Sequence, residues 1–170
     1  MWCYEHVITS TEVVKYLGVY IDRYLNKCYF DYSCSSWYSG LGSGLTKKLQ
    51  ILQNKVVRFV LDLGPRARIN CNILNSVGML SVTDRVSQLR INHVFNIYHG
   101  RVPEYLSENF NINQGNTSGA SNLNFITPNA NLCSTNNFSY NAIKDWNSLS
   151  ISIKNVTNKE AFKNAVKDFF

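Results

Sequence analysis

The chain has 170 residues, enough for one compact domain or two small ones. At 45% hydrophobic and 13% aromatic residues it lies outside the composition of a disordered tail. A net charge of +6 and a pI near 9.1 suit an anionic partner without requiring one.

Five cysteines stand at 3, 28, 34, 71 and 133, an odd count with no Cys-x-x-Cys pair. His6, His93 and His99 are scattered, so neither a disulfide framework nor a zinc set is read. The opening MWCYEHVITSTEVV has no basic head followed by an apolar run. No apolar stretch approaches the ~20 residues of a membrane span. The expectation is an intracellular protein, cytoplasmic or nuclear, with reduced thiols and no membrane partner. Asn116, Asn137 and Asn155 match the glycosylation pattern and are read as chance in an Asn-rich chain.

Residues 7–22 predict a β-hairpin: a short edge at Val7-Ile8, a turn at Thr9 to Thr11, and a strand from Val13 to Ile21 rich in β-branched and aromatic residues. Asp31 to Tyr38 reads as a weak helix, and Gly40-Leu-Gly-Ser-Gly as a flexible joint. From Gly44 to Leu63 the periodicity predicts a helix with two faces. Leu45, Leu49, Leu52, Val56, Phe59, Val60 and Leu63 form a stripe expected to be buried, and Lys47, Lys48, Lys55 and Arg58 lie almost opposite. Gly64-Pro65 is expected to end it, and Arg66 and Arg68 follow. Lys47 to Arg68 holds six basic residues and one acid, Asp62, hence five of the chain's six net positive charges. No acids are interspersed to balance them, which favours an anionic partner over an ordinary solvated face.

Asn70 to Asn75 predicts a helical turn. Ser81-Val-Thr-Asp84 reads as a capping box opening a helix to about Tyr98, closed by Gly100. Val82, Val86, Leu89, His93 and Ile97 share its expected core face, which makes His93 a core or boundary residue. Pro103-Glu-Tyr-Leu starts a short helix. No charged residue occurs from Asn109 to Ile143, so a loop or loose hairpin is expected, with strands only at Phe125-Ile126 and Leu132 to Phe138. A helix around Tyr140 to Trp146 follows, with Trp146 as a packing anchor rather than a base-stacking platform. Thr157-Asn-Lys-Glu160 reads as a second capping box, opening a helix with Ala161, Phe162, Val166 and Phe169 on its apolar side. Lys154, Lys159, Lys163 and Lys167 make a second basic face, read as solvated surface.

Several segments, in order, resemble one family. Lys15-Tyr-Leu-Gly-Val-Tyr-Ile-Asp22, with Leu25-Asn26 after it, resembles the end of the palm of reverse transcriptases from non-LTR (LINE-type, jockey-like) retrotransposons. Leu45-Thr-Lys-Lys-Leu49 resembles the helix that begins after the palm, and Leu52-Gln-Asn-Lys-Val-Val-Arg58 the family's LQNKAVR helix. Leu80-Ser-Val-x-x-Arg85 resembles its L-x-V-x-x-R start. Phe138-x-Tyr with Trp146-Asn-Ser-Leu149 resembles its F-x-Y…WNxLP segment, and Phe162-Lys-x-x-Val-Lys167 its last helix. The departures are Lys27-Cys28-Tyr29-Phe30 where the family has a Trp and a His, Met79 in place of a Trp, and Ser150 in place of the Pro.

Period-2 patterning confined to residues 7–22 and helical patterning after Gly44 predict an α+β, mostly α fold. With the resemblance, it divides into a palm-end β-hairpin and joint over 1–40, a helical thumb-like region over 41–108, an uncharged Asn/Ser-rich loop or loose hairpin over 109–138, and C-terminal helices over 139–170. Polymerisation needs two metal ions held by carboxylates, which the family supplies from paired aspartates upstream of this segment. No Asp-Asp pair occurs here, so no catalytic, cofactor-binding or metal-ligating residue is named. Magnesium is expected only for a full-length parent enzyme. The expected function is non-sequence-specific binding of RNA or DNA, as primer–template duplex, with Lys47, Lys48, Lys55, Arg58, Arg66 and Arg68 on phosphates and no small-molecule substrate. The alternatives are a structural remnant of a dead element and, only within a longer product, an active polymerase.

Overall fold

In a computed structural model of the chain, the structure describes residues 13–16, 19–22, 34–113, 123–129 and 136–170. The described chain is mostly helical. At its N-terminal end the backbone forms two short strands, β1 (Val13–Tyr16) and β2 (Val19–Asp22). They pair antiparallel, with Val13 opposite Asp22 and Tyr16 opposite Val19. The stretch read as one strand from Val13 to Ile21 thus contains both partners. The Val7-Ile8 edge and its turn lie outside the described residues.

A short helix, α1 (Cys34–Trp37), continues into a 3₁₀ turn at Tyr38–Gly40. Helix α2 follows over Ser43–Val60, and α3 over Cys71–Ser76. Asn70 caps α3, its Oδ1 accepting the Ile73 N–H at 3.0 Å. Helix α4 runs over Val82–Tyr98. Its Ser81 Oγ accepts the Asp84 N–H at 3.2 Å and donates to Asp84 Oδ2 at 2.6 Å. The aspartate therefore braces the capping hydroxyl instead of reaching back to the Ser81 backbone, as a longer glutamate would. Gly100, at φ +62, closes α4, with Gly100 N–H on Ile97 O and Arg101 N–H on Asn96 O. That pair of bonds is a Schellman motif, and it requires a left-handed residue where glycine is least strained.

Helix α5 is a single turn, Glu104–Ser107, entered from Pro103. The uncharged stretch forms an antiparallel bridge, Ile112 to Phe125, flanked by Asn113 N–H on Asn124 O and Ile126 N–H on Asn111 O. Helix α6 covers Phe138–Asn147, α7 Ile151–Lys154 and α8 Lys159–Phe169. Phe138 opens α6 instead of ending a strand, because the Asn137 side chain accepts the Ser139 N–H and satisfies the first turn. At α8 the cap falls one residue later than the Thr157 box predicts: Asn158 Oδ1 takes both the Glu160 and Ala161 N–H groups.

One hydrophobic core joins α4, α6, α8 and the bridge strands. Ile91, Val94, Phe95, Phe110, Phe125, Ala142, Ile143, Trp146, Leu149, Phe162 and Val166 are all buried in it. Phe95 stacks on Phe162 with centroids 4.1 Å apart, and Trp146 lies within 6.0 Å of Tyr98, Phe125 and Phe162. Its indole N–H donates to Leu123 O at 3.0 Å, so the ring is a packing anchor with no face left for a base.

Helix α4 sits centrally, and its buried residues include Val86, Gln88 and Arg90 besides the apolar set. Arg90 Nε donates to Asp145 Oδ2 at 2.7 Å, and its other nitrogens reach Ser39 and Ser87. This pair locks α4 to α6. His93, expected at the core or its boundary, is exposed, with the edge of the Phe138 ring 6.0 Å away. The core face instead runs through Ile91, Val94 and Phe95, with Tyr98 packed beside them, a second apolar set at helical spacing on the same helix.

Candidate nucleic-acid interface

Helix α2 begins from an extended Gly42 and lacks a side-chain cap; Thr46 Oγ donates to Ser43 O within the first turn. It ends at Val60, earlier than the Gly64-Pro65 pair predicts. Asp62 adopts φ +50, with Asp62 N–H on Phe59 O and Leu63 N–H on Arg58 O, another Schellman closure. Aspartate is one of the few non-glycine residues whose short polar side chain tolerates that conformation.

The expected burial of the apolar stripe is not observed. Phe59 is 88% exposed and Leu45 51%, and Leu52 and Val60 are exposed as well. The buried residues of α2 are Gln53 and Val57. Gln53 Nε2 donates to Leu80 O at 2.8 Å, and Gln50 Oε1 accepts the Val82 N–H at 3.0 Å. Those are a carbonyl near the end of the α3–α4 loop and an orphan N–H of the first turn of α4. Between them, Gln50 Nε2 bonds Gln53 Oε1 at 2.8 Å and Asn54 Oδ1 at 3.0 Å. The helix therefore docks by a chain of amides, rotated roughly a quarter turn from its apolar stripe.

With that side docked, the basic side faces out. Lys47, Lys48 and Lys55 are exposed. Among the described residues none of the three has a hydrogen-bond or ion-pair partner. Lys48 and Lys55 stand two turns apart, about 10 Å along the axis. Arg58 is half-buried and is used differently: its Nε donates to Ala67 O at 2.8 Å. That bond ties the loop after the helix to its last turn and fixes the origin of Arg66 and Arg68, both exposed. Five of the six named cations thus form an open group on α2 and the loop beyond it, and the sixth positions that loop. Arg58's role was not legible in sequence, because a carbonyl acceptor nine residues away gives no pattern.

The C-terminal cations are arranged otherwise. Lys163 Nζ pairs with Glu160 at 2.9 Å, the hydrogen bond and charge of the lysine holding that carboxyl below its usual range. Lys154, expected on the same basic face, is buried instead: its Nζ donates to Asn124 Oδ1 at 2.7 Å and lies 3.5 Å from Asn147 O. Burial pushes the Lys154 ammonium below the ordinary lysine value. It holds the Leu123–Ile126 segment to α6 beside the Asn147 amide, which pairs with Phe125 N–H and O.

Among the described residues no group of three or more His, Cys, Asp and Glu side chains is placed to hold a metal ion. No helix of the described residues is long and apolar enough to cross a membrane. No protein-family model, curated protein or solved structure matches this chain.

Proposed function

We propose that this chain is a nucleic-acid-binding module that grips the phosphate backbone of an RNA–DNA or DNA duplex without reading its sequence. One observation supports it above the others: exposed Lys47, Lys48 and Lys55 with no partner among the described residues, beside a loop that sets Arg66 and Arg68 next to the helix end. Phosphates need cations at regular spacing and no base code. The ordered resemblance to non-LTR reverse transcriptases gives this face its context. There it is the thumb of a primer–template grip, following a palm-end hairpin, in a fragment of an RNA-directed DNA polymerase that lacks the paired aspartates.

The test is fluorescence anisotropy on a labelled duplex across a salt series. Each neutralised phosphate contributes about −0.9 to the slope of log K against log salt on B-form DNA. Four to six contacts give a slope of roughly −4 to −5, with little change between duplex sequences. A slope near zero, or strong preference for one sequence, overturns the reading.

A further inference from the structure

Helix α2 leaves an apolar seam open between its docked side and its lysines. Leu45, Leu49, Leu52, Val56 and Phe59 recur at alternating intervals of four and three, the spacing of a helix that seats a second helix alongside it. Leu45, Leu52 and Phe59 are exposed, while Leu49 and Val56 are half-buried at the edge toward α4. The end of the α3–α4 loop and the first turn of α4 close one flank of the seam through Gln53 and Gln50. The other flank is open and carries Lys48 and Lys55, one heptad apart. Exposed apolar side chains aligned in one row on a docked helix are the kind of feature that partner surfaces share.

We propose that this seam is the docking site for an amphipathic helix of another protein, one whose apolar stripe is bordered by acidic residues. Charge complementarity selects that occupant over a second copy of this chain. An antiparallel pair covering Leu49, Leu52, Val56 and Phe59 sets Lys55 against Lys55 of the copy, and only Asp62, past the helix end, offers Lys48 an acid. A parallel pair sets Lys48 and Lys55 against Gln53 and Val60, neither of them acidic. Either arrangement also brings together two segments of five net positive charges each. Glutamates flanking the incoming stripe meet Lys48 and Lys55 in both orientations, since such flanking charges set partner choice in helix pairs. The inference rests on the seam and does not depend on the phosphate-binding reading.

The probe is a synthetic peptide of about three heptads with Leu at the seam positions and Glu at every flanking position, fluorescein-labelled. Its control has Lys at the flanks. The Glu peptide is expected to bind the full chain at least about tenfold tighter than the Lys peptide, with the advantage shrinking as salt rises. Leu52→Ser with Phe59→Ser is expected to weaken the Glu peptide by more than about tenfold, leaving the melting temperature and the salt slope on duplex unchanged. Lys48→Glu with Lys55→Glu is expected to reverse the preference between peptides. Equal binding of both peptides, or binding that survives the serine changes, overturns the proposal. So does sedimentation showing a dimer that the serine changes dissociate, which makes a second copy the occupant. A monomer that ignores both peptides and melts earlier with the serines also overturns it, because the seam is then covered by the chain's own residues.

Discussion

Helix α8 places Phe162 and Val166 fully inside the core and has Lys163 held by Glu160, whereas α2 leaves Leu45, Leu52 and Phe59 in solvent and its lysines without a partner among the described residues. Both helices combine an apolar stripe with a lysine face, and sequence periodicity treats them alike. The difference lies in what stands opposite. Helix α8 meets a surface already apolar, formed by Phe95 and Trp146, and Phe162 and Val166 turn inward, while Ala161 and Phe169 of its expected apolar side stay exposed. Helix α2 meets the start of α4, where the unsatisfied groups are a carbonyl and an N–H, and two glutamines answer them better than leucines could. An amphipathic period predicts a face to be covered; the polar needs of the neighbour decide which face is docked.

The sharpest way to break this contrast is to truncate one aromatic from each region. Trp146→Ala should cost ~3–5 kcal/mol in a denaturant titration, whereas Phe59→Ala should stay within ~0.5 kcal/mol. Comparable losses would mean that α2 is packed as tightly as the core. Next in size is the Arg90–Asp145 lock. Removing one partner of a buried pair costs ~3–5 kcal/mol, and the 20% exposure of Asp145 screens this to about 2 kcal/mol for Asp145→Asn. Replacing the pair together, Arg90→Met with Asp145→Leu, should recover most of it. If the double change is as costly as the single, the pair contributes net stability rather than merely avoiding an orphaned charge.

Two smaller effects depend on pH. Burial lowers the Lys154 value, so the fold disfavours its protonated form. The resulting penalty is full below that lowered value and fades as pH rises toward 10.5. Wild type should therefore gain stability against Lys154→Met as pH is raised, and a constant difference would contradict the burial. His99 is held below 6.5 by burial and then by Arg101. It costs nothing above 6.5, and its penalty grows as pH falls below that point until the lowered folded value is passed. His99→Gln should flatten that part of the stability profile; an unaltered profile places the acid sensitivity elsewhere.

Much of the helical framework was legible because its signals are local. Ser81, Gly100, Asn70 and Pro103 act within one turn of themselves, and each marks an element end in the structure. The candidate site was legible to the same depth: Lys47, Lys48 and Lys55 share a face because helical geometry requires it. What escaped was long-range. The contacts from Gln53 to Leu80, Arg90 to Asp145 and Lys154 to Asn124 join residues 27, 55 and 30 positions apart, and each buries a side chain that patterning assigns to solvent. His93, read as a core or boundary residue, is exposed because α4 carries two apolar sets and the one through Ile91, Val94 and Phe95 is the one that meets the core.

The two lysine faces supply the most direct test of the central claim. The salt slope of duplex binding should be measured for Lys47→Gln/Lys48→Gln/Lys55→Gln and, in parallel, for Lys159→Gln/Lys163→Gln/Lys167→Gln. Arg58 is left intact, because its bond to Ala67 would confuse a lost contact with a displaced loop. The account predicts that the α2 triple lowers the slope by up to about three units while the α8 triple leaves it near the wild-type value. An unchanged slope in a folded α2 triple, or an equal drop in both, would contradict it.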